Sequence, residues 1–228
     1  MRYAFYISGN STRLLHYLEQ SDDAAVDQII LAISDYSISD KMEKVLKENH
    51  IKSVEFAYDD FEGISNREKN MMLSDHILEQ LEKYNIDYCI SFGSHILSGE
   101  LLEKYKYRLI NFHPSILPMF PGKGAIDQAV LHGNTFLVGN TVHFIDSGVD
   151  TGKIIMQSVI PLQSFYDNDN DYDCVLDLQI EMLNRLFSII EHEQLLVEEG
   201  NVKIAGADYG KYTIFPEIDI KMKEKDKK

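Results

Sequence analysis

Three observations predict an α/β fold, a mostly parallel twisted sheet with helices on both faces. Short apolar runs alternate with amphipathic segments, polar turns follow several of those runs, and no repeat or composition break divides the chain. Residues 3–8 carry the near-continuous apolar character of a strand buried on both faces. Gly9, Asn10, Ser11 and Thr12 then form a turn, and Arg13, Leu14 and Leu15 begin a helix that runs on through Leu18. Residues 26–33 read as a second strand, 41–48 as a helix, 53–57 as a third strand and 66–84 as a longer amphipathic helix. Residues 86–92 give a fourth strand and 108–111 a fifth. After Pro118 the pattern changes: 125–132 is a short helix, and 141–145 and 153–159 are strands around the Gly148 and Gly152 turn, extending the sheet with antiparallel pairing open. Residues 175–199 read as one long helix ended by Gly200. The main domain is therefore expected at 1–200, with 201–228 a C-terminal extension.

The 228 residues are 44% apolar, ample for a packed core, and carry a formal charge of −15. A polyphosphate backbone is bound by clustered Lys and Arg, so this balance argues against a nucleic-acid partner. Cys89 and Cys174 stand far apart and outside any metal-ligand spacing, which excludes a disulfide framework. With no signal peptide before the first strand and no apolar run long enough to span a bilayer, the expectation is a cytoplasmic protein without membrane contact.

Ligands of open α/β sheets gather at the carboxyl ends of the strands, and three polar loops converge there: 9–12, 92–95 and 111–118. Asn111 and His113 sit two residues apart at the end of the fifth strand, so period-two geometry points both side chains to one face. Pro114 and Pro118 cannot continue a ladder and leave that strand end open. The 9–12 turn before a helix suits an anion, which Arg13 could help to hold, but it lacks the spacing of a nucleotide-binding loop. A helix cap at Ser11 or Thr12 explains it equally well. His95 follows Gly93 in a strand-end loop and is a weaker cleft candidate, while His143, inside a strand, reads as a satisfied sheet histidine. The acidic stretch 167–173 lacks the Gly and the terminal carboxylate of a calcium loop and reads as a solvated cap, so no metal is expected.

Beyond these local readings, the segments Asn111-Phe112-His113-Pro114-Ser115-Ile116-Leu117-Pro118, Phe120-Pro121-Gly122-Lys123-Gly124-Ala125-Ile126 and Val142-His143-Phe144 through Asp150-Thr151-Gly152-Lys153 resemble the folate-dependent formyltransferases. The likeness covers roughly residues 1 to 190 in layout. It implies a Rossmann-like formyltransferase fold, N10-formyltetrahydrofolate as co-substrate, and Asn111, His113 and Asp150 as the catalytic trio. By the same resemblance, Phe92, Ser94, His95, Ile96, Leu97, Gly139, Ile145 and Asp146 would bind the folate. Gly9, Asn10, Ser11, Thr12, Arg13 and Pro114 would face the acceptor. The chemistry suits these groups: an amine attacks the formyl carbon, Asn111 and protonated His113 stabilise the developing oxyanion, and Asp150 organises proton transfer.

On the acceptor side the chain departs from the purine-biosynthesis branch of that family. Gly9-Asn10-Ser11-Thr12-Arg13 replaces the usual Gly-Asn-Gly-Ser-Asn, Ser94-His95-Ile96-Leu97 replaces Met-Arg-Ile-Leu, and Glu181-Met182-Leu183-Asn184-Arg185-Leu186 replaces Glu-His-x-x-Tyr-Pro. The expected acceptor is therefore the amine of a nucleotide-linked amino-dideoxy sugar, as in O-antigen and other surface-polysaccharide biosynthesis, with Tyr209, Tyr212 or Phe215 available to stack on its base. The alternative is phosphoribosylglycinamide formyltransferase of purine biosynthesis. A formyltetrahydrofolate hydrolase, a non-catalytic folate-binding module and a transfer-RNA formyltransferase are weaker readings. The resemblance also allows a homodimer.

Overall fold

The first strand, β1 (Tyr3–Ile7), runs through the interior of a seven-stranded sheet ordered β3-β2-β1-β4-β5-β6-β7. The others are β2 (Ile29–Ser34), β3 (Lys52–Glu55), β4 (Tyr88–Phe92), β5 (Leu109–His113), β6 (Leu137–Phe144) and β7 (Ile154–Pro161). β1 to β5 pair in parallel, and β6 and β7 are antiparallel, so the expected class holds and the open pairing question is answered. The computed structural model describes residues 1–20, 25–60, 64–132, 135–167 and 173–210. Tyr212, Phe215 and most of the acidic stretch, 168–172, lie outside the described residues.

Alternation along β1 builds two cores. Tyr3, Phe5 and Ile7 pack on one face with α1 (Thr12–Gln20), α2 (Asp40–Glu48) and α7 (Asp173–Glu191). Ala4 and Tyr6 pack on the other with α3 (Asn66–Lys83) and α4 (Glu100–Lys104). Both faces are covered, which is why the central strands read as continuous apolar runs. α3 starts at a capping box in which Ser65 accepts from the Glu68 amide and Glu68 accepts from the Ser65 amide. From β1 the chain steps first towards β2 and later, through β4, the opposite way. A crevice opens where the order reverses, at the carboxyl ends of β1, β4 and β5.

The long helix expected over 175–199 stops early. α7 ends at Glu191, and β8 (Leu195–Glu198) and β9 (Asn201–Ile204) form a hairpin. Its two-residue turn, Glu199 at φ 49° and Gly200 at φ 77°, has the two positive φ angles that match the strand twist. Gly200 thus turns a hairpin rather than ending a helix, and the boundary placed at 200 falls inside that turn. α4, α5 (Ala125–His132) and α6 (Leu162–Asp167) complete the described helices; α4 and α6 are too short to show a period.

Candidate active site

Asn111 and His113 lie on β5, and both line a cavity of about 880 Å3 at the crevice. In the antiparallel register Asn111 stands opposite His143 of β6, which brings His143 into the same cavity. The single-strand reading of His143 as a satisfied sheet residue missed this role, because the cross-strand partner cannot be read from one strand's alternation. Asp150 arrives from the β6–β7 loop. Asp146 Oδ1 accepts from the Gly148 amide at 3.0 Å and the Thr151 hydroxyl at 2.7 Å, an Asx turn that shapes this loop. A Cβ on Gly152 would sit 1.7 Å from the Phe144 carbonyl oxygen, so only glycine lets the loop return this closely. Asp150 itself holds φ 54°, a left-handed conformation that Asp tolerates.

The Asp150 carboxylate is held from four sides. Oδ2 accepts from the Gly122 amide at 2.7 Å and lies 3.3 Å from His113 Nδ1. Oδ1 lies 3.5 Å from Asn111 Nδ2 and 3.6 Å from His143 Nε2. Asn111 Nδ2 is also 3.2 Å from His143 Nε2. Each imidazole is pinned by a carbonyl on its far side, His113 Nε2 on Phe120 at 2.9 Å and His143 Nδ1 on Phe144 at 2.8 Å. Carbonyls only accept, so those far nitrogens carry hydrogens, and a neutral ring turns its lone pair to the carboxylate side. An added proton on either ring therefore lands between imidazole and carboxylate. Hydrogen bonding to His143, the Gly122 amide and charge on the two imidazoles outweigh burial and hold the Asp150 carboxyl below the usual carboxylate range.

The remaining walls divide by chemistry. Ser94, His95, Ile96, Leu97, Ile145 and Asp146 line the cavity together, as do Thr12, Arg13 and Pro114. The other expected binding residues are not among those lining this cavity. Phe92 is buried among Phe5 and Phe112, with the Arg13 guanidinium over its ring at 4.4 Å. Gly139 lies in β6, where a Cβ would stand 2.0 Å from the Ser158 carbonyl oxygen, so its smallness serves strand packing. Asn10 accepts from the Ser39 amide at 2.6 Å, Ser11 Oγ accepts from the Leu14 amide at 3.4 Å as a helix cap, and neither they nor Gly9 line the cavity. Tyr209 accepts from the Ile204 amide at 2.9 Å beside the hairpin and is likewise outside it. Arg13 donates to the Phe112 and Phe92 carbonyls, both at 3.1 Å, tying the ends of β5 and β4. Sequence reading overlooked Gln179, buried on α7 at the cavity wall; its amide donates to Asn140 Oδ1 at 2.7 Å and its Oε1 has no partner among the described residues.

Gly93 shows how tightly the β4 end is built. A Cβ there would lie 2.1 Å from the buried Tyr6 ring. Gly93→Ala is therefore expected to lower the stability read by urea unfolding by about 2 kcal/mol or more, as overpacking does.

Residues 1–186 match the family model described as formyl transferase. The chain belongs to the formyl transferase family. It is 31% identical over 166 residues to the phosphoribosylglycinamide formyltransferase of Bacillus subtilis, covering 71% of this chain and 80% of that one. It is 34% identical over 165 residues to the trifunctional purine biosynthetic protein adenosine-3 of Drosophila pseudoobscura pseudoobscura, covering 71% of this chain but 12% of that one. The family member thus spans about a tenth of the length of the trifunctional relatives that it matches. Its fold is that of glycinamide ribonucleotide transformylase 1 from Symbiobacterium toebii, at TM-score 0.73 and 24% identity over 90% of this chain and 93% of that one.

Proposed function

We propose that this family member transfers the formyl group of N10-formyltetrahydrofolate to the primary amine of glycinamide ribonucleotide. The observation that carries the reading is the convergence of Asn111, His113, His143 and Asp150 on one cavity. The relatives named for the phosphoribosylglycinamide reaction support this acceptor over the sugar nucleotide expected from the sequence.

The donor supplies an activated formyl carbon; the residues supply charge control. As the amine nitrogen bonds to that carbon, the carbon–N10 bond breaks, the amine loses a proton and N10 gains one. Asn111 lines the cavity, and its Nδ2 can donate to the oxyanion once one of its hydrogens leaves His143 Nε2 or Asp150 Oδ1. His113 can give its Nε2 hydrogen to the oxyanion once that hydrogen leaves the Phe120 carbonyl. Asp150, kept ionised, takes the amine proton directly or through water.

One observation favours the sugar-nucleotide acceptor as a second reading. Asn10 and Ser11 are spent on internal bonds, so of the first loop only Thr12 presents itself to the cavity beside Arg13. The test follows consumption of the formyl donor with glycinamide ribonucleotide and, separately, with dTDP- and UDP-linked 4-amino-4,6-dideoxy sugars. Turnover with the ribonucleotide is expected; turnover confined to a sugar nucleotide would replace that acceptor and keep formyl transfer.

A further inference from the structure

A second polar cluster, outside the catalytic groups, sits where β1, β2 and β4 end side by side. At its centre is Asp35, fully buried just past β2. Its Oδ2 accepts from the Tyr6 hydroxyl at 2.6 Å and the Ser8 hydroxyl at 2.8 Å, and its Oδ1 has no partner among the described residues. Ser8 Oγ also accepts the Ser94 amide at 2.8 Å and lies 2.9 Å from Ser94 Oγ. A hydroxyl has one hydrogen to give, and Ser8 gives it to Asp35, so Ser94 is the donor to Ser8. The chain Ser94 to Ser8 to Asp35 therefore runs one way, and the carboxylate sets its direction.

His95 completes the arrangement. Its ring stacks on Tyr58 with centroids 3.7 Å apart, and Nε2 lies 3.6 Å from Asp35 Oδ2 and 3.4 Å from the Tyr36 hydroxyl. The loop of residues 93–97 is thus anchored at its start by the Tyr6 ring beneath Gly93, then at Ser94, then at His95. Its following residues, Ile96 and Leu97, line the cavity with apolar side chains that have no polar anchor of their own among the described residues.

We propose that Asp35 is a positioning residue for the formyl donor: through Ser8, Ser94 and His95 it fixes the 93–97 wall of the cleft without touching the reacting atoms. The proposal rests on the reading that this wall receives the folate. A buried carboxylate left half-satisfied is costly as a purely structural element; here it buys placement of a loop that has no regular structure. Burial raises the carboxyl of Asp35 against the lowering contacts of Tyr6, Ser8 and His95. Burial likewise lowers the His95 imidazole, with Asp35 and Asp59 pulling it up and Lys123 and Lys69 pushing it down. Tyr6, Tyr36 and Tyr58 are the other titratable groups facing the pair, and burial raises all three phenols.

The test combines two variants with two readouts. Asp35→Asn keeps an acceptor oxygen for Tyr6 and Ser8 and removes the charge; Ser8→Ala cuts the link from Asp35 to Ser94. For Ser8→Ala, KM for the formyl donor is expected to rise about tenfold while kcat and the amine KM stay within about twofold. For Asp35→Asn, which keeps an acceptor for Ser8 but loses the charge that holds His95, donor KM should also rise, by less than for Ser8→Ala, and the His95 imidazole, followed by NMR and assigned with His95→Gln, should titrate at lower pH than in the wild-type protein. A loss confined to kcat, or a rise in the amine KM instead, would overturn the positioning role, since a general structural defect produces those. An unmoved His95 titration would overturn the pairing. Binding of the unreactive 5-formyltetrahydrofolate by equilibrium dialysis reads the same effect without turnover, so the acceptor can be misassigned and the test still stands. A wild-type protein that binds no folate would overturn the proposal together with the donor-side reading.

Discussion

Asp150→Asn is expected to lower kcat for formyl transfer about a thousandfold, the scale of lost general acid–base catalysis, in a protein that stays folded. Asn tolerates the left-handed φ that Asp150 adopts, and its carbonyl oxygen can still accept from the Gly122 amide, so the loop has no reason to move. The charge is lost. Without it, nothing at this point draws a proton from the amine. The carboxyl is held below its usual range in the folded protein, so its ionised form contributes stability that is present above the unfolded value and is lost as pH falls through the folded one. Thermal unfolding should accordingly show the Asn variant less stable than wild type at pH 7, with the gap narrowing toward pH 3. A kcat within tenfold of wild type would remove Asp150 from proton transfer.

Asn111→Ala should cost about a hundredfold in kcat, as removal of one oxyanion donor typically does. The substrate KM values should change little, because the donor acts on charge that appears only in the transition state. Asn111 is part-buried and its Nδ2 also lies against His143 Nε2, so truncation frees His143 as well as deleting a donor. Combined with Asp150→Asn, the loss should fall well short of the product of the two, since all these groups meet on one carboxylate. Independent, multiplying losses would show that Asn111 and Asp150 do not work as a unit.

The fold was legible wherever burial produced a pattern. β1 and β4 are covered on both faces, so their apolar runs announced a parallel sheet, and the 66–84 amphipathic pattern was bounded by a Ser-x-x-Glu start. The long-helix reading failed because the polar run 191–194 between α7 and β8 holds no Gly or Pro to mark a helix end, and Glu199-Gly200 serves a hairpin turn as readily as a helix end. Within the site, Asn111 and His113 were visible because strand period alone puts them on one face. His143 depends on the β5–β6 register, Gln179 on how α7 docks, and Asp35 on three strand ends meeting. Those are tertiary facts with no local signal. Phe92 and Gly139 stand near cavity residues in the chain, while their own surroundings are ring packing and close strand approach, which strand alternation alone does not show.

The decisive measurement follows the formyl carbon. With the donor labelled at that carbon with 13C, NMR of the reaction with glycinamide ribonucleotide should show the label moving into a new amide on the acceptor nitrogen, and Asp150→Asn should suppress that signal. Labelled formate appearing at the same rate with or without an amine would contradict formyl transfer and make the site one that delivers the formyl group to water.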